Sequence, residues 1–282
     1  MDDVQASKRW VAGVFDRASE TYDRTGVEFA GVVGRTLVDR ATLQPGERVL
    51  ELGCGRGAAT LPAAERVGPT GHVLALDLAE GMVRRTRADV EAAGLDHVTC
   101  EVGDAEDPDV GPGSWDVVLA SLVLFFLPRY DEAMRSYRRL LRPRGRLAFS
   151  WFADGDPRWD RVYEALVADI PEEQRGPRPP WEDGPLGGPG PMDAFLRDAG
   201  YRPTTTVEPV VVRFRDPETW WSDQWSHGQR GTMEKLRDLG VLESTRTRLI
   251  GELEALRASD GGLEWAPRIG YTVAERSARA PG

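Results

Sequence analysis

The sequence predicts an α/β fold, a doubly wound and mainly parallel sheet with helices on both faces, and three observations lead there. Apolar, β-rich runs alternate with helical patterns from about residue 47 to 151, the order that parallel strands joined by crossover helices require. Gly94 and Gly145 follow two of the helical patterns, where a left-handed residue ends a helix most easily. A glycine-rich turn, "GCGRG", stands directly after the first apolar run, the position at which such sheets receive ligands.

The elements can be justified in order. Residues 7–43 read as two amphipathic helices interrupted near "TYDRTG", with Phe29, Val32, Val33, Leu37 and Val38 on one packed face. The core strands are "RVLEL", "HVLALD", "VTCEVGD", "WDVVLAS" and "RLAFSWF", separated by helical segments such as "AATLPAAERV", "GMVRRTRADVEAAGL" and "DEAMRSYRRLLRPRG". Residues 176–191, "GPRPPWEDGPLGGPGP", are too rich in Pro and Gly for a regular element and read as a long loop of the kind that gates a pocket. A late strand in "TTTVEPVVVRF", helices over residues 217–258 and a last strand in "LEWAPRIGYTVAERS" complete the chain. Three parts result: residues 1–45 as a helical segment closing over a ligand, 46–152 as the binding core, and 153–282 as a substrate lid with the last strands.

Composition narrows the function. The 282 residues, 40% of them hydrophobic, suffice for a sizeable core. A net charge of −10 lacks the electrostatic footprint of a nucleic-acid or anionic-membrane partner and favours a small-molecule acceptor. A homodimer is compatible with all of this. Lys8 and Lys235 are the only lysines among 36 basic residues. The two cysteines, Cys54 and Cys100, do not make a disulfide framework. The start has no apolar signal region, and no apolar run approaches the roughly 18 residues of a membrane span. A cytoplasmic protein is expected. No His, Cys, Asp and Glu grouping has convincing metal-ligand spacing, so no metal is expected.

Glu51 ends the first strand, and Gly53, Cys54 and Gly55 open a turn whose backbone a ligand can approach without obstruction from Cβ atoms. Asp77 ends the next strand, twenty residues beyond Gly57, where an acid can take both hydroxyls of a ribose. Leu78 and Met82 follow it and can flank a base. A dinucleotide site would normally read G-x-G-x-x-G, but here the third glycine comes one residue early. Nicotinamide-dependent hydride transfer is therefore the weaker reading.

An acid followed by G-x-G-x-G resembles the signature of class I S-adenosylmethionine-dependent methyltransferases. "FDRASETYD" resembles the N-terminal motif of their ubiquinone/menaquinone C-methyltransferase-like branch. The resemblance covers residues 15–152. It implies a Rossmann-like seven-stranded sheet with an inserted helical lid, and S-adenosylmethionine as cofactor. It further implies that Asp104 and Ala105 meet the adenine, that Ala120 and Ser121 receive the methionine part, and that Tyr22, with Phe15 as a second candidate, closes over the cofactor. Relatives place histidines after the fourth strand where this chain has Phe125 and Phe126, which shifts the expected pocket toward apolar substrates.

Methyl transfer gains most from alignment in a dry pocket, and a base matters when the acceptor is a neutral hydroxyl. Of the three histidines, His72 and His97 fall on the side of the sheet away from strand C-termini, whereas His227 lies in the lid segment "WWSDQWSHGQRG". His227 is the candidate base. Phe125, Trp151, Trp221 and Trp225 are the candidate substrate walls. The expected activity is methyl transfer to oxygen or carbon of a small, partly apolar metabolite in specialised biosynthesis. The alternative is a cyclase or binding module that holds the cofactor without transferring its methyl.

Overall fold

Strand alternation decides what packs where. In the computed structural model, which describes residues 2–175 and 184–278, β1 (Arg48–Leu52), β2 (His72–Asp77), β3 (Val98–Val102), β4 (Trp115–Ser121) and β5 (Leu141–Asp154) run parallel in the order β3-β2-β1-β4-β5. Two later strands extend this sheet, β6 (Tyr201–Pro209) and β9 (Arg268–Arg276), with β9 inserted antiparallel between β5 and β6. The expected seven-stranded, mainly parallel sheet is thereby found.

Successive residues of a strand face opposite ways, so both faces of this sheet need cover. Leu50, Leu52, Val118 and Phe149 bury one face against Met134 and Tyr137 of α5 (Tyr130–Leu140) and Met192 and Leu196 of α7 (Pro189–Asp198). Val49, Val117, Leu119 and Ala148 bury the other against Val33 and Leu37 of α2 (Ala30–Ala41) and Ala63 and Ala64 of α3 (Thr60–Val67). Each fully buried Val, Leu, Met or Phe among these contributes about 1.5–3 kcal/mol.

A separate core builds the helical layer expected from sequence as the lid. Trp159, Trp220, Leu249 and Phe214 gather α6 (Asp160–Val167), α8 (Pro217–Asp223), α9 (Arg230–Asp238) and α10 (Leu242–Glu254) around a small antiparallel pair, β7 (Val212–Phe214) and β8 (Leu263–Trp265). The N-terminal helix α1 (Asp2–Ala18) lies against α4 (Glu80–Ala92), where Asp16 Oδ1 accepts the Gly81 N–H at 2.6 Å. The α2 N-terminus is capped from a distance, because the Asp23 carboxylate accepts the N–H groups of Phe29, Ala30 and Gly31 at 2.8–3.2 Å.

Two boundaries differ from expectation. The Pro- and Gly-rich run does not stay irregular to residue 191: residues 176–183 lie outside the described part, but α7 starts at Pro189. Proline suits a first helical turn, since its missing N–H would be unpaired there anyway. Each late apolar run, expected as one strand, divides in two around a proline, β6 and β7 after Pro209 and β8 and β9 around Pro267. Proline cannot donate to a ladder, and each break sends one half to the lid and the other to the core sheet.

Candidate active site

The turn after β1 takes its shape from three glycines with positive φ, Gly53 at 69°, Gly55 at 52° and Gly57 at 78°. At Gly53 a Cβ would lie 2.4 Å from Val123 Cγ2, so contact with the β4 tip demands glycine as well. At Gly55 a Cβ would meet only the Tyr22 ring, at 3.9 Å, which leaves bare backbone beneath an aromatic cover. Asp77 pins this turn: its Oδ2 accepts the Gly55 N–H at 2.8 Å and its Oδ1 the Ala79 N–H at 2.9 Å. A carboxylate has about four acceptor positions, so each oxygen can still take a hydroxyl. Burial pushes the Asp77 carboxyl above its ordinary value, against the opposing bonds from Ala79 and Gly55.

One cavity opens at these strand tips. Tyr22, Gly53, Gly55, Asp77, Leu78, Met82, Asp104, Ala105 and Ser121, nine of the residues named from sequence as cofactor contacts, line it together. Three expected cofactor contacts do not line it. Glu51 is 1% exposed and accepts the Thr60 hydroxyl at 2.5 Å, tying the strand end to the start of α3. Burial pushes its carboxyl up to about 8, so it orders the turn as a neutral acid. Cys54 turns back among Ala75, Val83, Val90 and Cys100. Ala120 is fully buried, because its place in the alternation of β4 points it into the α5 core.

The cavity has further walls beyond the strand tips. Phe15, the second candidate beside Tyr22, and Phe126 meet edge to face, with ring centroids 5.1 Å apart, and both line it. Leu122 does too, in a left-handed conformation (φ 54°) that a leucine rarely takes. Its N–H donates to the Ser150 hydroxyl at 3.1 Å, and Ser150 also meets the Ser121 hydroxyl at 3.2 Å. Lys8 of α1 lines the far end, where its ammonium donates to Asp104 Oδ2 at 2.7 Å. The signal for Lys8 lay in composition, as one of two lysines in an arginine-rich chain.

On the lid side, the candidate substrate walls separate. Phe125 is half-buried, 4.6 Å from the Phe126 ring and 5.5 Å from Phe152. Trp151 is fully buried and donates its Nε1–H to Thr272 at 3.2 Å, so it belongs to the sheet core. Phe152, the next residue along the strand, faces the other way. It continues to Phe29 (5.9 Å, stacked) and Trp265 (6.4 Å). All four of these rings, Phe125, Phe152, Phe29 and Trp265, are half-buried at the seam where the separate cores meet. Trp265 Nε1 is buried without a hydrogen-bond partner among the described residues. Trp221 is 7% exposed within the lid core, and Trp225 packs against that core under Arg230. Neither Trp221 nor Trp225 lines the cavity.

His227 follows the lid helix α8. Its Nε2 lies 3.4 Å from Asp223 Oδ2, and its Nδ1 accepts the Gln229 N–H at 3.3 Å. These partners assign the ring hydrogen to Nε2 and the lone pair to Nδ1. Asp223 Oδ1 accepts the Thr25 hydroxyl at 2.6 Å, which joins the lid to the loop after Tyr22. Burial pushes the Asp223 carboxyl up, but hydrogen bonds from His227, Thr25 and Ser226 outweigh it and hold the group below its ordinary value. His227 itself does not line the cavity. The next residue does approach it, since a Cβ on Gly228 would touch Phe126 at 3.5 Å and Phe15 at 3.7 Å.

The residues at the strand tips fit an adenosyl cofactor. Asp77 and Asp104 supply acceptors for hydroxyls and an amino group, Leu78 and Met82 supply apolar flanks, and Gly55 leaves backbone bare beneath the Tyr22 ring. Comparison with known proteins agrees. A family model described as a methyltransferase domain matches residues 49–145. Nocamycin O-methyltransferase from Saccharothrix syringae is 38% identical over 229 residues, covering 77% of this chain and 81% of that protein. Aklanonic acid methyltransferase from a Streptomyces species is 44% identical over 143 residues, 51% of this chain and 65% of that one. The crystal structure of the YcgJ protein from a Bacillus shares the fold, with a TM-score of 0.60 over 88% of this chain and 99% of that chain at 16% identity. With a relative of that identity matched over most of its length, and the sheet, glycine turn and paired acids in place, the chain belongs to the class I S-adenosylmethionine-dependent methyltransferases.

Proposed function

We propose that this enzyme methylates a hydroxyl oxygen of a small, partly apolar, ring-bearing metabolite of specialised biosynthesis. The observation that carries the reading is the continuity of the cofactor cavity with a half-buried row of rings, from Phe15 and Phe126 through Phe125 to Phe152, Phe29 and Trp265. The choice of oxygen takes support from the O-methyltransferase that is 38% identical.

In this reading residues 2–45 cover the cofactor, and residues 153–278 supply the lid and the last strands. When bound, S-adenosylmethionine supplies an electrophilic methyl group on a positively charged sulfur. Gly53, Gly55 and Ser121 hold its amino-acid end, Asp77 its ribose, and Asp104 with Ala105 its adenine. Tyr22, Phe15 and Phe126 exclude water from the reacting end. Burial, reinforced by Asp23, Asp77 and Asp223, raises the Tyr22 phenol, so it keeps its proton and is no base. His227 takes the acceptor proton at Nδ1 once the acceptor displaces the weak Gln229 contact, with Asp223 holding the opposite nitrogen.

The experiment is a screen of phenolic and alcoholic ring metabolites for release of S-adenosylhomocysteine, with the product mapped by mass spectrometry. Methyl groups found on carbon, or turnover confined to small aliphatic acceptors, would overturn the reading. For the base, His227→Ala should lower kcat by about a hundredfold or more while leaving S-adenosylhomocysteine affinity unchanged. Near-normal kcat would remove His227 from the chemistry.

A further inference from the structure

A buried lysine in a chain that otherwise relies on arginine asks for a reason. Lys8 is 6% exposed, and its ammonium sits between two carboxylates, 2.7 Å from Asp104 Oδ2 and 2.5 Å from Glu106 Oε2. Glu106 has a second cation besides this one. Its side chain already accepts the Arg129 backbone N–H at 2.6 Å and the Arg129 guanidinium at 3.0 Å. Asp104 is in the opposite position. Apart from Lys8, its carboxylate takes, among the described residues, only the Glu106 N–H, on Oδ1 at 2.9 Å, and it faces the cavity.

We propose that Lys8 is a positioning residue for the adenine end of the cofactor: its ammonium, anchored on Glu106, orients the Asp104 carboxylate toward the cavity and makes α1 the wall that closes it. The proposal rests on the cofactor reading of this cavity. Burial opposes the charge on both sides, yet the mutual hydrogen bonds prevail, raising Lys8 and lowering Glu106 from their ordinary values. The carboxylate keeps acceptor positions for an amino group.

Size explains the choice of lysine. A compact ammonium on a thin stem fits between two carboxylates at a cavity edge, whereas a planar guanidinium with five donors occupies more of the space there. Lys8 and Arg are therefore not interchangeable at this position, although either would satisfy a purely structural ion pair.

The test uses calorimetric titration of the full chain with S-adenosylhomocysteine, with melting temperature measured in parallel. Lys8→Met should weaken binding by about tenfold or more, the loss expected when a charge-assisted contact no longer holds the acceptor. Lys8→Arg should keep the melting temperature near wild type yet fail to restore affinity. Wild-type affinity in Lys8→Arg would reduce Lys8 to a structural ion pair and overturn the proposal, as would wild-type affinity in Lys8→Met. If Lys8→Met does not fold, Lys8→Arg alone decides. Asp77→Ala separates the two levels: if it abolishes binding while the Lys8 variants bind normally, only the proposal fails. If wild type itself does not bind, or Asp77→Ala binds like it, the cofactor reading of the cavity fails.

Discussion

At the scale of single residues, the site is built by carboxyl groups withdrawn from water to different degrees. Glu51 is the extreme case, with its proton retained to about pH 8 in the folded chain against 4.5 for a free side chain. Between those values the folded state holds a proton that the unfolded state releases. The contribution to stability is complete below about pH 4.5 and is lost as pH rises toward 8, at up to about 1.4 kcal/mol per pH unit. Urea unfolding at several pH values should show this slope, and Glu51→Gln, which keeps a partner for the Thr60 hydroxyl, should flatten it. An unchanged slope would place the titration elsewhere. Part of this was legible beforehand. The spacing of Gly53, Gly55 and Asp77 identified the turn, because local backbone geometry dictates it. Which neighbours face inward was not, since Glu51, Cys54 and Ala120 share the tip with cavity residues but point away from them.

Among the elements, the N-terminal motif supplies helix caps as well as the cavity-lining rings of Phe15 and Tyr22. Asp16 reaches the start of α4, and Asp23 the start of α2, where a carboxylate also meets the favourable end of the helix dipole. Asp23 adopts φ 53° to do so. Asp23→Ala should cost about 1–2 kcal/mol in urea unfolding, with Asp23→Asn, which keeps one acceptor oxygen and tolerates the same left-handed backbone, recovering part of it; equal loss in both would show that the cap depends on the charge or on both carboxylate oxygens. Sequence patterns located α1, α2 and the five parallel strands because each carries its own periodicity. They missed that Pro209 and Pro267 divide the late runs, since an extended segment reads alike whether one sheet or two receives it.

For the whole molecule, the consequential feature is the seam between the sheet core and the lid. Long-range partners meet there that no local pattern announces: Thr25 with Asp223, and Phe152 with Phe29 and Trp265. Alternation along β5 puts Trp151 and Phe152 on opposite faces; Trp151, the residue expected from sequence as a substrate wall, lies in the sheet core, and Phe152 meets Phe29 and Trp265 at the seam. Trp265→Ala should raise the acceptor KM about tenfold, the scale of one aromatic contact, without altering S-adenosylhomocysteine affinity. If both constants shift together, the ring supports the lid as a whole instead of the acceptor.

The antiparallel insertion of β9 also sets an order of assembly. A chain emerging from the ribosome can pair its first five strands and form the glycine turn, but β6 has no neighbour until residues 268–276 arrive to fill the gap beside β5. The same segment leads directly out of β8, so the Trp265 ring that meets Phe29 and Phe152 is carried into place by the stroke that completes the sheet. Removing those residues should therefore leave a nascent species with its glycine turn and first five strand tips formed and the helices after residue 153 without their anchor on the sheet.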